Sequence, residues 1–282
     1  MHGPAPTQTE TSERQPVAPV SFPAARAATG AASLGTTGAA TVLSATAVSL
    51  EYRRRGGESV CALDGFDLTV AAGERVALVG PSGCGKSTLL ALVAGLLDPT
   101  AGELVVGDDV ALMPQRDLLV PWRSALRNAA LALEAQGVSR GEAIARAEPL
   151  FERFGLASFE GARSWELSGG MRQRVAFLRT ILTGRPVLAL DEPFGALDAI
   201  TRGEMHEWLA EALAAEPRTV LLVTHDVEEA LTLADRVVVI TPRPGRVAAE
   251  IAVGRPAGAT RESWITSPEF SALKSQALAA LS

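Results

Sequence analysis

From Thr41 onward the chain breaks into short β-branched and apolar runs separated by Gly, Asp and Asn. Residues 41–52 alternate loosely, Phe66 to Val70 reads as a strand, and Ala72-Gly73 marks a turn before the apolar strand Val76 to Val79. A Gly-rich loop follows, then a helix over Lys86 to Leu97. Residues 123–160 are rich in Ala, Leu, Glu and Arg, with Leu126, Ala130 and Leu133 at helical spacing. Val187 to Leu190, Thr219 to Val223 and Val237 to Ile240 are further short apolar strands. Strands alternating with helices predict an α/β fold with a mostly parallel sheet, and the Ala-rich block predicts a helical insertion. No internal repeat is present, which predicts one such unit.

Composition narrows the class. The 282 residues are 47% apolar and 21% charged, as in a globular protein with an ample core. The apolar run Leu89 to Leu97 is too short for a bilayer, which needs roughly 20 residues, so any membrane association is expected to be peripheral. A net charge of -6 offers no basic field for nucleic acid. Cys61 and Cys84 are too few for a disulfide framework or a four-ligand zinc site and fit a reducing, cytosolic compartment. Residues 1–40 hold few large apolar side chains, lack the pattern of a signal peptide, and are expected to be disordered. Beyond Gly245, Phe270, Leu273, Ala277, Leu278 and Leu281 predict one closing amphipathic helix in an extension over 246–282.

The candidate chemistry sits at strand ends. Gly80-Pro81-Ser82-Gly83-Cys84-Gly85-Lys86-Ser87-Thr88 fits the phosphate-loop pattern between a predicted strand and a helix, the context that gives the pattern meaning. Such a loop turns successive amides inward onto phosphate oxygens, and the helix N-terminus adds partial positive charge. Lys86 then reaches the β- and γ-phosphates, and the Ser87 hydroxyl ligates Mg²⁺. Cys84 reads as a small filler residue, or as a thiol activated by Lys86 and open to thiol reagents. About a hundred residues on, an apolar strand ends in Asp191 and Glu192. Adjacent strand residues point to opposite sides, so Asp191 is expected on the Mg²⁺ side and Glu192 facing the γ-phosphate and its attacking water.

Three further segments follow in order: Leu167-Ser-Gly-Gly-Met-Arg-Gln-Arg174, Asp191-Glu-Pro-Phe-Gly-Ala-Leu-Asp198 and Thr224-His-Asp226. With the phosphate loop they closely resemble the ABC-type ATPases over about residues 42–245. The resemblance implies a P-loop NTPase (RecA-like) core with a mostly parallel sheet, an N-terminal antiparallel β subdomain and a helical subdomain inserted over about 117–170. It implies that Ser168, Gly169 and Gly170 bind the γ-phosphate of ATP held by a second cassette, head to tail. Gly195 to Asp198 become the D-loop, and His225 the histidine that senses the γ-phosphate. Tyr52, upstream of the loop, becomes an adenine-stacking aromatic, or else a half-buried strand residue. Gln115 becomes the hinge glutamine that touches Mg²⁺. It follows Lys86 by only 29 positions, fewer than the family pattern, so the hairpin after Gly102 is expected to be trimmed. His206, on a helix whose apolar face is Met205, Trp208, Leu209 and Leu213, is expected to be a solvated bystander.

Leu118-Leu-Val-Pro-Trp122, Asn128 and Phe194 to Arg202 resemble the importer branch that serves nitrate, sulfonates, taurine and thiamine-pyrimidine precursors. The implied activity is ATP hydrolysis coupled to solute transport through separate permease subunits at the cytoplasmic membrane face, with an extracytoplasmic solute-binding protein as indirect partner. Trp122 reads either as a permease contact or as a core aromatic. An exporter motor and a soluble non-transport ABC ATPase are the alternatives. The soluble class lacks its usual coiled-coil insertion, zinc cysteines or second cassette here, and no nucleic-acid partner is expected.

Overall fold

The computed structural model describes residues 40–53, 57–215, 217–256 and 258–281. The disorder expected for 1–40 therefore concerns, except for Ala40, residues outside that description.

Strands β1 (Thr41–Arg53) and β2 (Ser59–Ala71) pair antiparallel, and β4 (Ala101–Val106) joins the free edge of β1. The second sheet has the order β5-β6-β7-β3-β8-β9. In it β3 (Arg75–Val79), β5 (Val110–Met113), β6 (Val187–Asp191), β7 (Thr219–Thr224) and β8 (Arg236–Ile240) run parallel. Strand β9 (Val247–Ala252) closes the edge antiparallel to β8. The observed α/β architecture, a mostly parallel sheet beside an antiparallel one, is the expected one.

The central strands are apolar throughout because both faces are covered. Alternate residues of β3 feed opposite layers: Val76 and Leu78 pack toward the antiparallel sheet and helix α1 (Lys86–Val93), while Ala77 and Val79 pack toward the other helices. Helix α1 stops four residues before the predicted Leu97. Gly95 at φ 68° and the bond from Leu96 N to Ala91 O form a left-handed C-terminal cap there. Strands β4 and β5 lie in different sheets, so the segment after Gly102 is a crossover and not a shortened hairpin.

The block at 123–160 forms two helices, α2 (Ala125–Ala135) and α3 (Arg140–Arg153), N-capped by the Ser124 and Ser139 hydroxyls. A 3₁₀ turn (Ser164–Glu166) leads to α4 (Gly169–Ile181). Helices α5 (Ala199–Ala215) and α6 (Val227–Leu233) follow. Phe154 packs on Trp208 with ring centroids 4.3 Å apart, tying the end of α3 to α5. The C-terminal segment forms α7 (Arg261–Ile265) and α8 (Pro268–Ala280). Phe270 and Ala277 are buried, whereas Leu278, predicted on the same face, is largely exposed.

Candidate functional site

Strand β3 lies between β7 and β8, so the loop after it opens at the middle of the sheet's carboxyl edge. In open α/β sheets that edge is where ligands bind. Gly85 N-caps α1 at φ 107°, and a Cβ there would lie 2.6 Å from the Ala62 carbonyl oxygen. Only glycine lets the loop pass so close to β2. No side chain caps α1, so its first amides stay directed at the loop. The Lys86 ammonium donates to the carbonyl oxygens of Gly80 (2.7 Å) and Pro81 (2.9 Å). A cavity of about 410 Å³ adjoins the loop, lined by Ser82, Gly83, Gly85, Lys86, Ser87 and Thr88 and, from other segments, by Tyr52, Gln115, Glu192 and Arg243.

Beneath the cavity, Asp191 is buried at the end of β6. Burial raises its carboxyl above the usual carboxylate range; the Ser87 hydroxyl hydrogen bond and Lys86 pull it back, while Glu192 pushes it up further. No group of three or more His, Cys, Asp or Glu side chains forms a metal cage among the described residues. What is present, one carboxylate bonded to one hydroxyl beside a phosphate-type loop, fits Mg²⁺. That ion commonly takes one or two carboxylates and completes its shell with water and substrate phosphates.

Glu192 is where the separate segments meet. It leaves the strand at φ 48°, anchored by its N–H to the Val223 carbonyl at 2.8 Å. The expected divergence from Asp191 thus has a different cause: the strand ends at Asp191, and a left-handed residue turns the next side chain away. One Glu192 oxygen accepts from the Gln115 amide at 3.0 Å, and the other lies 3.2 Å from His225 Nδ1. His225 itself stays mostly solvent-exposed.

Tyr52 is partly exposed at the rim, its hydroxyl 3.2 Å from the Thr88 hydroxyl. Ser168, Gly169 and Gly170 do not line the cavity of their own chain. They open α4 elsewhere on the surface, with the Ser168 hydroxyl accepting from Met171 N at 3.2 Å.

One expectation is overturned. His206 is no solvated bystander: it is 3% exposed, with Nε2 3.3 Å from a Glu229 oxygen. Glu229 in turn accepts from the Thr224 hydroxyl, which accepts from Asp226 N. Helix α6 supplies a polar lid for that side of α5, which spacing along α5 alone cannot show. Of the two readings of Cys84, burial favours the small filler: its sulfur lies in the core, 3.7 Å from Lys86 Nζ, and the loop does not offer the thiol to reagents. Trp122, left between two readings, is 75% exposed and is not a core residue.

Gln173 closes the signature segment that the resemblance places over Leu167 to Gln173, with no contact of its own assigned from the sequence. Its amide donates to the Glu192 carbonyl oxygen at 2.7 Å and accepts from Ala196 N at 2.8 Å, joining α4 to the segment after β6. The available signal was a buried-side polar residue one turn into α4. Arg243 was also missed.

Comparison with known proteins agrees with this geometry. The family described as ABC transporter matches residues 63–195. The formylaminopyrimidine import ATP-binding protein ThiZ of Halalkalibacterium halodurans is 47% identical over 184 residues, 64% of this chain and 74% of the relative. The taurine import ATP-binding protein TauB of Burkholderia pseudomallei is 42% identical over 219 residues, 75% of this chain and 84% of that one. Among solved structures, the dimeric ATP-binding cassette MJ0796 in a post-hydrolysis state with ADP and Pi superposes with TM-score 0.69 at 28% identity. It covers 76% of this chain and 100% of its own. With a phosphate loop in the expected setting and relatives aligned over most of their length, the chain belongs to the ATP-binding subunits of ABC transporters, a family of ATPases.

Proposed function

We propose that the chain hydrolyses ATP in a head-to-tail dimer of cassettes and drives solute import through separate permease subunits at the cytoplasmic membrane face. The observation that carries this reading is the Glu192 carboxylate, held between Gln115 and His225 at the wall of the phosphate-loop cavity. A carboxylate there orients water toward a terminal phosphate. The loop amides and Lys86 stabilise charge on the phosphates, and His225 registers the γ-phosphate through its contact with Glu192. Ser87, Asp191 and Gln115 would hold Mg²⁺, which neutralises phosphate charge when bound. Tyr52 would stack on adenine.

The dimer is supported by the position of Ser168 to Gly170 at the start of α4, the first two exposed and Gly170 half-buried, all outside their own chain's cavity. Such a helix start binds anions and suits a facing nucleotide on a second copy. A permease contact is supported by the helical region, where Trp122 and Trp165 are 75% and 68% exposed. Arg163 donates to the Trp122 carbonyl, holding these segments together. Among the described residues no helix is long and apolar enough to cross a membrane; the permease of this reading is a separate chain. Import of a taurine-like or pyrimidine-precursor solute rests on the relatives' names as taurine and formylaminopyrimidine import proteins, with a solute-binding protein as indirect partner.

The test is Glu192→Gln. ATP binding should survive, phosphate release should fall to background, and a dimer should persist with ATP in size-exclusion chromatography. Wild-type turnover by this variant would remove Glu192 from the role.

A further inference from the structure

The turn joining β8 to β9, residues 241–246, closes on itself. Thr241 N donates to Arg246 O at 2.9 Å, and the Thr241 hydroxyl bonds Pro244 O at 3.1 Å and receives Arg246 N at 3.0 Å. This rigid turn is also docked against the phosphate loop. Gly245 N donates to Ala62 O at 2.9 Å, and Asp64 N donates to Gly245 O at 3.2 Å. A Cβ on Gly245 would fall 2.1 Å from the Cys84 carbonyl oxygen, so no other residue permits this approach.

Docking at Gly245 brings Arg243 to the cavity wall. Its Nε donates to the Gly83 carbonyl oxygen at 3.0 Å, and one terminal nitrogen lies 3.0 Å from where a Gly83 Cβ would stand. The guanidinium therefore lies against the middle of the phosphate loop. The other arginine of this turn, Arg246, is neutralised by Asp64. Arg243 has no ion pair among the described residues, and its one hydrogen bond leaves both terminal nitrogens as free donors. A permanently charged fork, anchored by a hydrogen-bonded turn beside a phosphate-type loop and with no carboxylate partner among the described residues, is suited to phosphate oxygens.

We propose that Arg243 is a nucleotide-binding residue, donating to the phosphates of bound ATP from outside the phosphate loop. The inference rests on the cavity being the ATP site. The competing role is a brace that only steadies Gly83.

Full-length wild type, Arg243→Ala, Arg243→Lys and Arg243→Gln are titrated with a non-hydrolysable ATP analogue by calorimetry at several salt concentrations, with melting temperatures recorded. An exposed charge-assisted contact predicts about tenfold weaker binding for Arg243→Ala. It also predicts a shallower dependence on salt, because one screened attraction has gone. Arg243→Lys should recover much of the affinity and the salt slope. Arg243→Gln, which keeps a donor for Gly83 but no charge, should recover neither. Wild-type affinity in Arg243→Ala or Arg243→Gln, or an unchanged salt slope, would overturn the proposal. Should Arg243→Ala fail to fold, the lysine and glutamine variants decide alone. A wild type that binds no analogue, indistinguishable from Lys86→Ala, would overturn the ATP reading of the cavity itself.

Discussion

Replacing Gln173 by alanine removes a brace without touching the cavity. Gln173 is 7% exposed and makes two short bonds, to the Glu192 carbonyl at 2.7 Å and from Ala196 N at 2.8 Å. At about 1 kcal/mol net for each, the loss is roughly 2 kcal/mol. Those bonds help hold Glu192 at φ 48°, a left-handed conformation that costs a non-glycine residue about 1–2 kcal/mol. If the 2 kcal/mol falls wholly on alignment of the carboxylate, kcat drops about 30-fold, since 1.4 kcal/mol is a factor of ten. Phosphate release at saturating ATP measures kcat, and calorimetry with a non-hydrolysable analogue measures Kd. The Kd should stay near wild type because Gln173 does not line the cavity. Gln173→Glu keeps the acceptor for Ala196 N but sets a carboxylate against the Glu192 carbonyl, so it should be at least as slow. A Gln173→Ala protein with a lowered Tm and wild-type kcat would refute the reasoning, leaving Gln173 a purely structural residue.

Asp191→Asn should raise the Tm at neutral pH while abolishing Mg²⁺-dependent hydrolysis. Burial holds the Asp191 carboxyl above its ordinary range, so the unfolded chain binds fewer protons there than the folded one. Its ionisation therefore erodes stability as pH rises from the usual carboxylate range through the raised value, and the amide escapes that cost; a Tm equal to or below wild type at pH 7 would count against this. Neither cysteine should react quickly with a thiol reagent in the native state: Cys84 is buried, and burial with nearby Asp64 and Glu51 pushes the Cys61 thiol up. Rapid labelling of Cys84, followed by mass spectrometry, would contradict the packing. Asn128→Ala should cost about 2–4 kcal/mol in denaturant unfolding, because the wholly buried amide accepts from Val120 N and donates to the carbonyls of Val120, Arg123 and Ser124. Hydrogen exchange across residues 118–124 should accelerate with it; unchanged exchange would show that the loop is held by other means.

The strands that carry the site were legible because they are buried on both faces: β3, β6, β7 and β8 are near-continuous apolar runs, and the first three lead into Gly80, Asp191 and His225. Strands β4, β5 and β9 were not. Ala101 to Val106 is mostly exposed, Val110 to Met113 is four residues long, and Val247 to Ala252 is alanine-rich, so none carries a strong period. The phosphate loop was visible because its neighbours in sequence are its neighbours in space. The contacts around Glu192 link residues 77 and 33 positions apart, and spacing along the chain gives no distance between them. His206 failed for the same reason: its partner, Glu229, sits on the next helix.

The far end of the chain bears on this chemistry through α6. That helix has only seven residues, too few to hold itself together in water, and it begins directly after His225 and Asp226. Trp264 Nε1 bonds the Leu231 carbonyl at 2.9 Å, and Lys274 pairs with Glu228 at 2.5 Å, so α7 and α8 splint it from outside. The tail is thus a buttress for the loop that carries His225. A change at Trp264 or Lys274 should therefore be felt at His225, and a chimera that exchanges α7 and α8 should inherit the donor's setting of that loop.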